Sequence, residues 1–491
     1  MVFMVDDLGF GDLQSFGNLE QEFNPVDQMI REGIRFTNAY SADSMCSPAR
    51  AGFITGRLPI RLGVTGGNRV FMIYDKGGLP KEDPTIAEML KTHGYNTGMA
   101  GKWHLGINEN NYTDGNHLPG RRGFDFVGIN LPYTLIWECD ETGELYPNGP
   151  DQDRCFVYKG DKIVQHPTTY SNFTAEMLAD WRSFLYNKAL PTINTKPFFY
   201  FHSFPHVHVA QFANKNFKGK SARGIFGDNL NEMGWYVGEV IKDLWANRLA
   251  FNTLVVFLSD HGPHQELCNN GGSTAGLKGG KSNTFEGGFR IPMAAWMPGN
   301  IFPGQVSHEV ISAMDLYPTF ERLATTPKAR DPFYVPPPKQ ETRKMDGIDI
   351  WPQLLGLSTS KDNKPLTPLI DQRPIFFYCP LYDSIDLQRQ YFYCSGKLSG
   401  REAETRMVCQ LFLPRRGTYQ TRSPLIYDLD KDPYEVYPIV DEATVKTVTD
   451  KASKLIDDHR KSIVPVKQVL GDFDYNGCLW PCYGDNCGCW A

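Results

Sequence analysis

The chain contains no apolar run near the roughly 20 residues that a membrane-spanning helix needs, which excludes an evident bilayer span and leaves the expectation of a soluble globular protein. It also lacks any Lys/Arg run long enough for a nucleic-acid or membrane patch, and its formal net charge is -6. A polyanion partner is therefore not advertised, although a local pocket can still be basic. No internal repeat is visible. The opening MVFMVDDLGF has neither a basic segment nor a cleavage site, and its apolar residues run straight into Asp6 and Asp7 like a core strand cut close to its start. An even cysteine count is missing as well. There are 11 cysteines, with Cys478, Cys482, Cys487 and Cys489 crowded into the tail at spacings that match no common zinc site and read as disulfides. An odd number in an oxidising compartment points to one special thiol. Two sequons, Asn111-Tyr-Thr and Asn172-Phe-Thr, fit a secretory route.

What is present is alternation. A chain of 491 residues allows roughly two to four ordinary domains, or one large α/β domain with a smaller companion. EDPTIAEMLKTHGY reads as an amphipathic helix, with Asp83 as N-cap, Pro84 at the first helical position, Ile86, Met89 and Leu90 on one face and Gly94 as the stop. TAEMLADWRSFLYNKAL places Met177, Leu178, Trp181, Phe184 and Leu185 at helical spacing ahead of the apolar run FFYFH. A helix from about Asp228 to Arg248 precedes TLVVFLSDHG, whose β-branched and aromatic run fits a strand buried on both faces. This repetition predicts a layered α/β domain around a largely parallel sheet, with an active site beyond the carboxyl ends of the strands. Two such ends carry Asp6 with Asp7 and Asp260 with His261. TTPKARDPFYVPPPKQETRK reads as an exposed loop. Beyond about residue 371, PIFFYC, QYFYC and PLIYDLD predict a small antiparallel sheet, followed by one helix at roughly 443–460. The expected division is a large α/β domain over 1–370 and a smaller α+β domain, with the Cys-rich tail, over 371–491.

The stretch SADSMCSPARAGFITGR holds Cys46 away from any evident partner. Ser47 fits an N-cap, Pro48 the first helical turn and Gly56 a stop, which puts Cys46 at a helix mouth with Arg50 four residues on. Free N–H groups, a partial positive charge and a guanidinium make an anion cradle around the thiol. A plain thiolate nucleophile is one chemistry that such a place supports.

Cys-x-Pro-x-Arg followed by TGR also resembles the signature of the sulfatase family, in which this cysteine is oxidised to formylglycine. VDDLGFGDL is similar to the family's N-terminal metal motif, GKWHLG to its second signature, and SDHG with GLKGGKSNTFEGGFR to its later metal and lysine segments. The motifs run in order from residue 2 to about 435. GGLPKEDPTIAEMLKTHGYNTGMAGKWHLG, HVHVAQF and YDLDKDPYE bring the resemblance nearest to arylsulfatase A and N-acetylgalactosamine-6-sulfatase. It implies an alkaline-phosphatase-like fold: a layered α/β/α domain with a large mixed, mostly parallel sheet, and a smaller C-terminal α+β domain with an antiparallel sheet.

By position, the resemblance implies that Asp6, Asp7, Asp260 and His261, with residue 46, bind a divalent metal, usually Ca²⁺ with Mg²⁺ as the alternative. Histidine, a softer ligand, stands at 261 where the arylsulfatase A pattern has asparagine. Formylglycine at position 46, made by a formylglycine-generating enzyme, would hydrate to a gem-diol whose ionised oxygen, favoured by the metal and Arg50, attacks sulfur. Lys102 and Lys281 would neutralise the sulfate oxygens, and His208 with Lys281 would sit by the leaving oxygen. His104 would deprotonate the second hydroxyl, so that sulfate is expelled and the aldehyde returns. Thr134 stands for a sulfate-contacting serine. His206 is the rival to His208, on the opposite face of an extended segment; the remaining histidines read as structural or exposed.

The resemblance also pairs Cys139 with Cys155, and setting Cys46 aside leaves an even number of thiols for bridges. Gly279 stands where arylsulfatase A has a cysteine, so one family bridge is missing or rerouted. The implied substrate is a small aryl, carbohydrate or glycolipid sulfate, the implied location lysosomal or extracellular, and the implied assembly a homodimer, with no nucleic acid as partner. Two other readings stay open: a phosphate or phosphonate ester hydrolase of the same superfamily, and a non-catalytic secreted relative.

Overall fold

Consecutive apolar residues can all be buried only in a strand covered on both faces, because successive side chains point to opposite sides. β1 (Val2–Val5) is buried at every position. Phe3 and Val5 enter one core and Val2 and Met4 the other. The structure, a computed structural model, describes residues 1–470 apart from 66–69, 74, 112, 134–138, 141–154, 335–342, 360–363, 379–391, 398–405, 411–424 and 468. Thr134 and the tail cysteines Cys478, Cys482, Cys487 and Cys489 lie outside the described residues.

With β1, the strands β2 (Ile34–Tyr40), β3 (Asn96–Lys102), β4 (Phe126–Leu131), β5 (Val157–Lys159), β6 (Lys162–Gln165), β7 (Phe198–Ser203), β8 (Val255–Ser259), β9 (Arg290–Trp296) and β10 (Gln305–Ser312) form a ten-stranded sheet. Its order is β10-β2-β9-β8-β1-β7-β3-β4-β5-β6. The centre, β8-β1-β7-β3-β4, is parallel. β9 runs against both its neighbours, and β5 pairs antiparallel with β4 and β6, so the sheet is mixed. Helices Pro25–Arg31, Phe173–Phe184 and Gly224–Ala246 bury Met29, Trp181 and Tyr236 on one face. Helices Cys46–Thr55, Ile86–Thr92 and Leu316–Thr325 bury Phe53, Met89 and Phe320 on the other. This is the layered α/β/α arrangement. Trp181 has no exposed surface, and its truncation to Ala would cost about 3–5 kcal/mol.

One helix start differs from expectation. Thr85, not Asp83, is the N-cap: its hydroxyl accepts the Glu88 N–H at 3.0 Å while the Glu88 carboxylate accepts the Thr85 N–H at 2.8 Å. A reciprocal box satisfies two helix-end donors and outcompetes a lone aspartate. Asp83 turns inward instead, 2.6 Å from Arg343 and 3.5 Å from Arg57.

A second sheet follows, antiparallel in the order β11 (Ile375–Tyr378), β12 (Phe392–Lys397), β13 (Arg406–Gln410), β14 (Leu425–Asp428), with helix Glu442–Lys461 after it. Ile375, Phe377, Tyr427 and Leu429 share a core with Tyr40, Phe289 and Val310 of the large sheet's flank. The small sheet is thus seated on the end of β2, just before the Cys46 helix. No helix among the described residues is long and apolar enough to cross a membrane.

Candidate active site

Strand order decides what meets. Asp260 and His261 follow β8, Asp6 and Asp7 follow β1, and His206 and His208 lie just beyond β7; Lys102 ends β3 and His104 comes two residues later. These four strands are adjacent and parallel, so their carboxyl ends form one rim. Asp7 and His104 both turn the chain sharply there, each with φ of 58°. That conformation costs a non-glycine residue energy and persists where the surroundings over-determine it.

The helix Cys46–Thr55 starts at Cys46 itself and closes at Gly56, whose φ is 69°. Ser47 does not cap it. Its hydroxyl donates to the His104 carbonyl at 2.9 Å and accepts the Phe71 N–H at 3.0 Å, so a buried tie between two loops takes the group that a lone cap would have used. Cys46 Sγ lies 3.3 Å from His261 Nε2 and 3.8 Å from Asp6 Oδ1. Ligand atoms of Asp6, Asp7, Cys46 and His261 all fall within 4.8 Å of one another.

Arg50 is buried below this group, and its Nη2 lies 3.0 Å from Asp260 Oδ2 as an ion pair without a hydrogen-bond partner. Its Nε donates to Asp260 Oδ2 at 3.0 Å and its terminal nitrogens reach Ser203 Oγ at 2.7 Å, the Lys102 carbonyl at 3.2 Å and Asp6 at 3.5 Å. Asp260 Oδ1 accepts the N–H groups of Asp7 and His261 at 3.2 and 3.0 Å. Lys102 Nζ donates to Asp6 at 2.5 Å, and Lys281 Nζ sits 2.7 Å from both oxygens of Asp7. His208 Nε2 is 3.9 Å from Asp7. His206 belongs elsewhere: Thr174 Oγ1 is 3.0 Å from its Nε2 and the ring packs on Phe204 and Phe212 in the core. Of the expected site residues, then, the rim gathers Cys46, Arg50, Asp6, Asp7, Asp260, His261, Lys102, His104, His208 and Lys281. Asn111 and Asn172 are exposed, and Cys139 is bonded to Cys155.

Electrostatics follow from burial against neighbours. Burial pushes Asp6 up, but Lys102, His208, Arg50 and Lys281 hold it well below the usual carboxylate range. Against the same burial, Lys281 leads the cations that lower Asp7 to about 2. For Asp260, burial outweighs its cations and the carboxyl moves up. Burial pulls His261 down, yet Asp260, Cys46 and Asp7 carry it up to about 9. Burial, then Lys281, brings His208 down to about 3. Burial, then Lys102 and Arg50, drives His104 well below its ordinary value. The His104 Nε2 faces the Phe71 carbonyl at 3.0 Å; a carbonyl only accepts, so Nε2 carries the proton and Nδ1 the lone pair. That Nδ1 is buried without a hydrogen-bond partner.

Ser203 and the Phe71 carbonyl went unforeseen. Ser203 closes an apolar strand and carries no motif, and a carbonyl has no sequence signature. Two surface cavities of about 520 and 560 Å³ lie elsewhere, one against Lys76, His117 and Arg343, the other against Thr37, Arg290 and His308, and none of the rim residues lines either.

Buried cations, carboxylates and a thiol gathered beyond parallel strands make a centre for an anionic ester. A sulfatase family model matches residues 1–326 and a model for the C-terminal region of aryl-sulfatase matches residues 390–490. An arylsulfatase of Hemicentrotus pulcherrimus is 36% identical, covering 100% of this chain and 85% of its own. Arylsulfatase A of Homo sapiens is 33% identical over 90% of this chain and 83% of its own, and a steryl-sulfatase of Rattus norvegicus 32% over 90% and 85%. Two solved structures share the fold: the PsFucS1 sulfatase from Pseudoalteromonas sp. (TM-score 0.72, 24% identity, 95% of this chain and 91% of that one) and the phosphonate monoester hydrolase of Agrobacterium radiobacter (TM-score 0.61, 18%, 96% and 96%). The chain belongs to the sulfatase family. Its activity is that of a sulfatase, the hydrolysis of sulfate esters.

Proposed function

We propose that this sulfatase cleaves a small aryl, carbohydrate or glycolipid sulfate by nucleophilic catalysis at residue 46, after a formylglycine-generating enzyme has oxidised Cys46. The position of Cys46 carries the reading: among the described residues it is an unpaired buried thiol, at a helix start, 3.3 Å from His261 and 3.8 Å from Asp6. Formylglycine supplies a hydrated aldehyde, one hydroxyl of which takes the sulfuryl group while loss of a proton from the other releases sulfate. Arg50, pinned by Asp260 and Ser203, favours the ionised hydroxyl. His104 offers the Nδ1 lone pair that removes the second proton. Lys102 and Lys281 place their ammonium charges toward the sulfate oxygens, and Thr134 adds a hydroxyl. His208 stands beside the Asp7–Lys281 pair at the leaving oxygen. Its neutral imidazole leaves Lys281 as the charged donor in that corner.

The donor set suits a divalent cation. Buried carboxylates that draw a proton onto His261 up to about 9 favour positive charge, and oxygen-rich ligands suit hard ions. We assign Asp6, Asp7, Asp260 and His261 to Ca²⁺, with Mg²⁺ as the other choice; when bound, the ion supplies charge to the sulfate and to the oxygen of residue 46. The division at 370/371, glycosylation at Asn111 and Asn172, a homodimer and a lysosomal or extracellular location belong to the same reading.

Mass spectrometry of the peptide spanning Cys46, from protein of its native source, tests the mechanism: an aldehyde is expected, and an unmodified thiol overturns it. Rates on a chromogenic aryl sulfate and its phosphate counterpart separate sulfatase from phosphatase or phosphonatase chemistry.

A further inference from the structure

Lys281 rides on a loop whose two ends reach the same distant residue. The loop, 278–288, is closed at its base by the Gly287 N–H on the Lys278 carbonyl at 2.8 Å, and its Gly288 carbonyl accepts the N–H of Gly262, next to His261, at 2.9 Å. Glu435 holds both ends. Its Oε2 accepts the Glu286 N–H at 2.9 Å, and its backbone carbonyl accepts Lys278 Nζ at 3.4 Å. Glu435 is 1% exposed and has a φ of 54°, a conformation that a non-glycine residue keeps only where its surroundings impose it. It lies beyond β14, so these ties add nothing to the strand pairing of the small sheet.

We propose that Glu435 is a positioning residue for sulfate ester hydrolysis: a clasp by which the C-terminal region sets Lys281 against Asp7 and steadies the turn after His261. The clasp rests on the proposed function only in the role given to Lys281. The groups facing Glu435 are Glu286, Lys278, Asp432 and Tyr427; Glu286 is itself taken up by the Tyr40 hydroxyl at 2.9 Å and Arg290 at 3.3 Å. Burial first, then Glu286, pushes the Glu435 carboxyl up to about 8. Below that pH it is a neutral acceptor. Above it, a second negative charge beside Glu286 loosens the clasp.

The test uses full-length mature enzyme with Glu435→Ala, Glu435→Gln and Lys278→Met. Amide exchange of 278–288 is followed by mass spectrometry, alongside kcat and KM for p-nitrophenyl sulfate from acid to alkaline pH. Glu435→Ala is expected to exchange faster in this loop alone and to lose about 10- to 100-fold in kcat, the usual cost of removing an outer support, with KM moving less. Glu435→Gln, which keeps an acceptor, retains the neutral-pH rate and loses the alkaline decline centred near 8. Lys278→Met removes the other tie and guards against an unfolded alanine variant; it too should speed loop exchange. Unchanged exchange in Glu435→Ala and Lys278→Met overturns the clasp. Faster exchange with wild-type kcat per folded molecule overturns the positioning role. If the wild-type enzyme leaves aryl sulfates intact, the proposed function fails while the exchange measurement still decides the clasp.

Discussion

Asp315 and Asp7 are both buried carboxylates, yet their surroundings differ in kind. Around Asp315 every partner is close: Oδ2 accepts the Ser312 N–H at 2.7 Å, Oδ1 the Ile348 N–H at 2.9 Å, and Arg373 reaches Oδ2. Around Asp7, Lys281 is close at 2.7 Å, but His261 Nε2 stands at 3.4 Å and His208 Nε2 at 3.9 Å, with Cys46 and Asp6 similarly spaced at 3.8 Å. A cluster knit by close hydrogen bonds fixes a fold. One whose polar atoms face a shared centre at longer range is shaped for an occupant, and its residues should matter for rate more than for stability.

Removing residue 46 should break that comparison most sharply. Cys46→Ala is expected to lower kcat on an aryl sulfate by on the order of 10⁴-fold or more, as loss of a nucleophile does, while thermal unfolding shifts little. Lys281→Met should cost about 10²- to 10³-fold in kcat. Arg373→Met at the other cluster reverses the pattern: it strands Asp315 without its cation and should cost about 3–5 kcal/mol in denaturant unfolding, with kcat per folded molecule unchanged. If Arg373→Met slows turnover as strongly as Lys281→Met, the two clusters are not distinct in kind.

A chelator should lower both activity and melting temperature, with Ca²⁺ restoring both; a ligand held at about 100 times its Kd stabilises by about 3 kcal/mol. Asp7→Asn should respond less to the ion in a thermal melt. The smallest effect concerns Glu232, away from the rim. Burial outweighs its hydrogen bonds from Asn214 and Thr174 and raises it from 4.5 to about 7. An acid raised on folding gives stability that is complete below its unfolded value and is lost as pH rises through the folded one. Wild-type stability should therefore decline between pH 4.5 and about 7 by up to about 3 kcal/mol from this group, and Glu232→Gln should flatten that decline in unfolding measured across the range.

Much of this was readable in advance where the signal is local. The uninterrupted apolar strands before Asp6 and Asp260, the amphipathic helices and the aromatic strands beyond 371 all declare themselves within a few residues. The starts of the helices Cys46–Thr55 and Ile86–Thr92 were misplaced because several polar side chains compete for one end, and the winner depends on what else each can bond. Ser203 under Arg50 lacked any such signal, and Glu435 closes the YDLDKDPYE motif without any sign of what it holds, since the partners of both come from remote segments.

By itself the sequence determined the layered fold, the family and the residue types gathered at the rim, because apolar periodicity and motif spacing are short-range properties of the chain. The resemblance already grouped His261 with residue 46 and preferred His208 to His206; only the tertiary structure brought His261 to 3.3 Å from Cys46 across 215 residues of sequence, gave His206 its core partner Thr174, and tied the Lys281 loop to a C-terminal glutamate. Those outcomes follow from strand order and burial, which bring distant groups within hydrogen-bond reach and make their pairing obligatory once water is excluded.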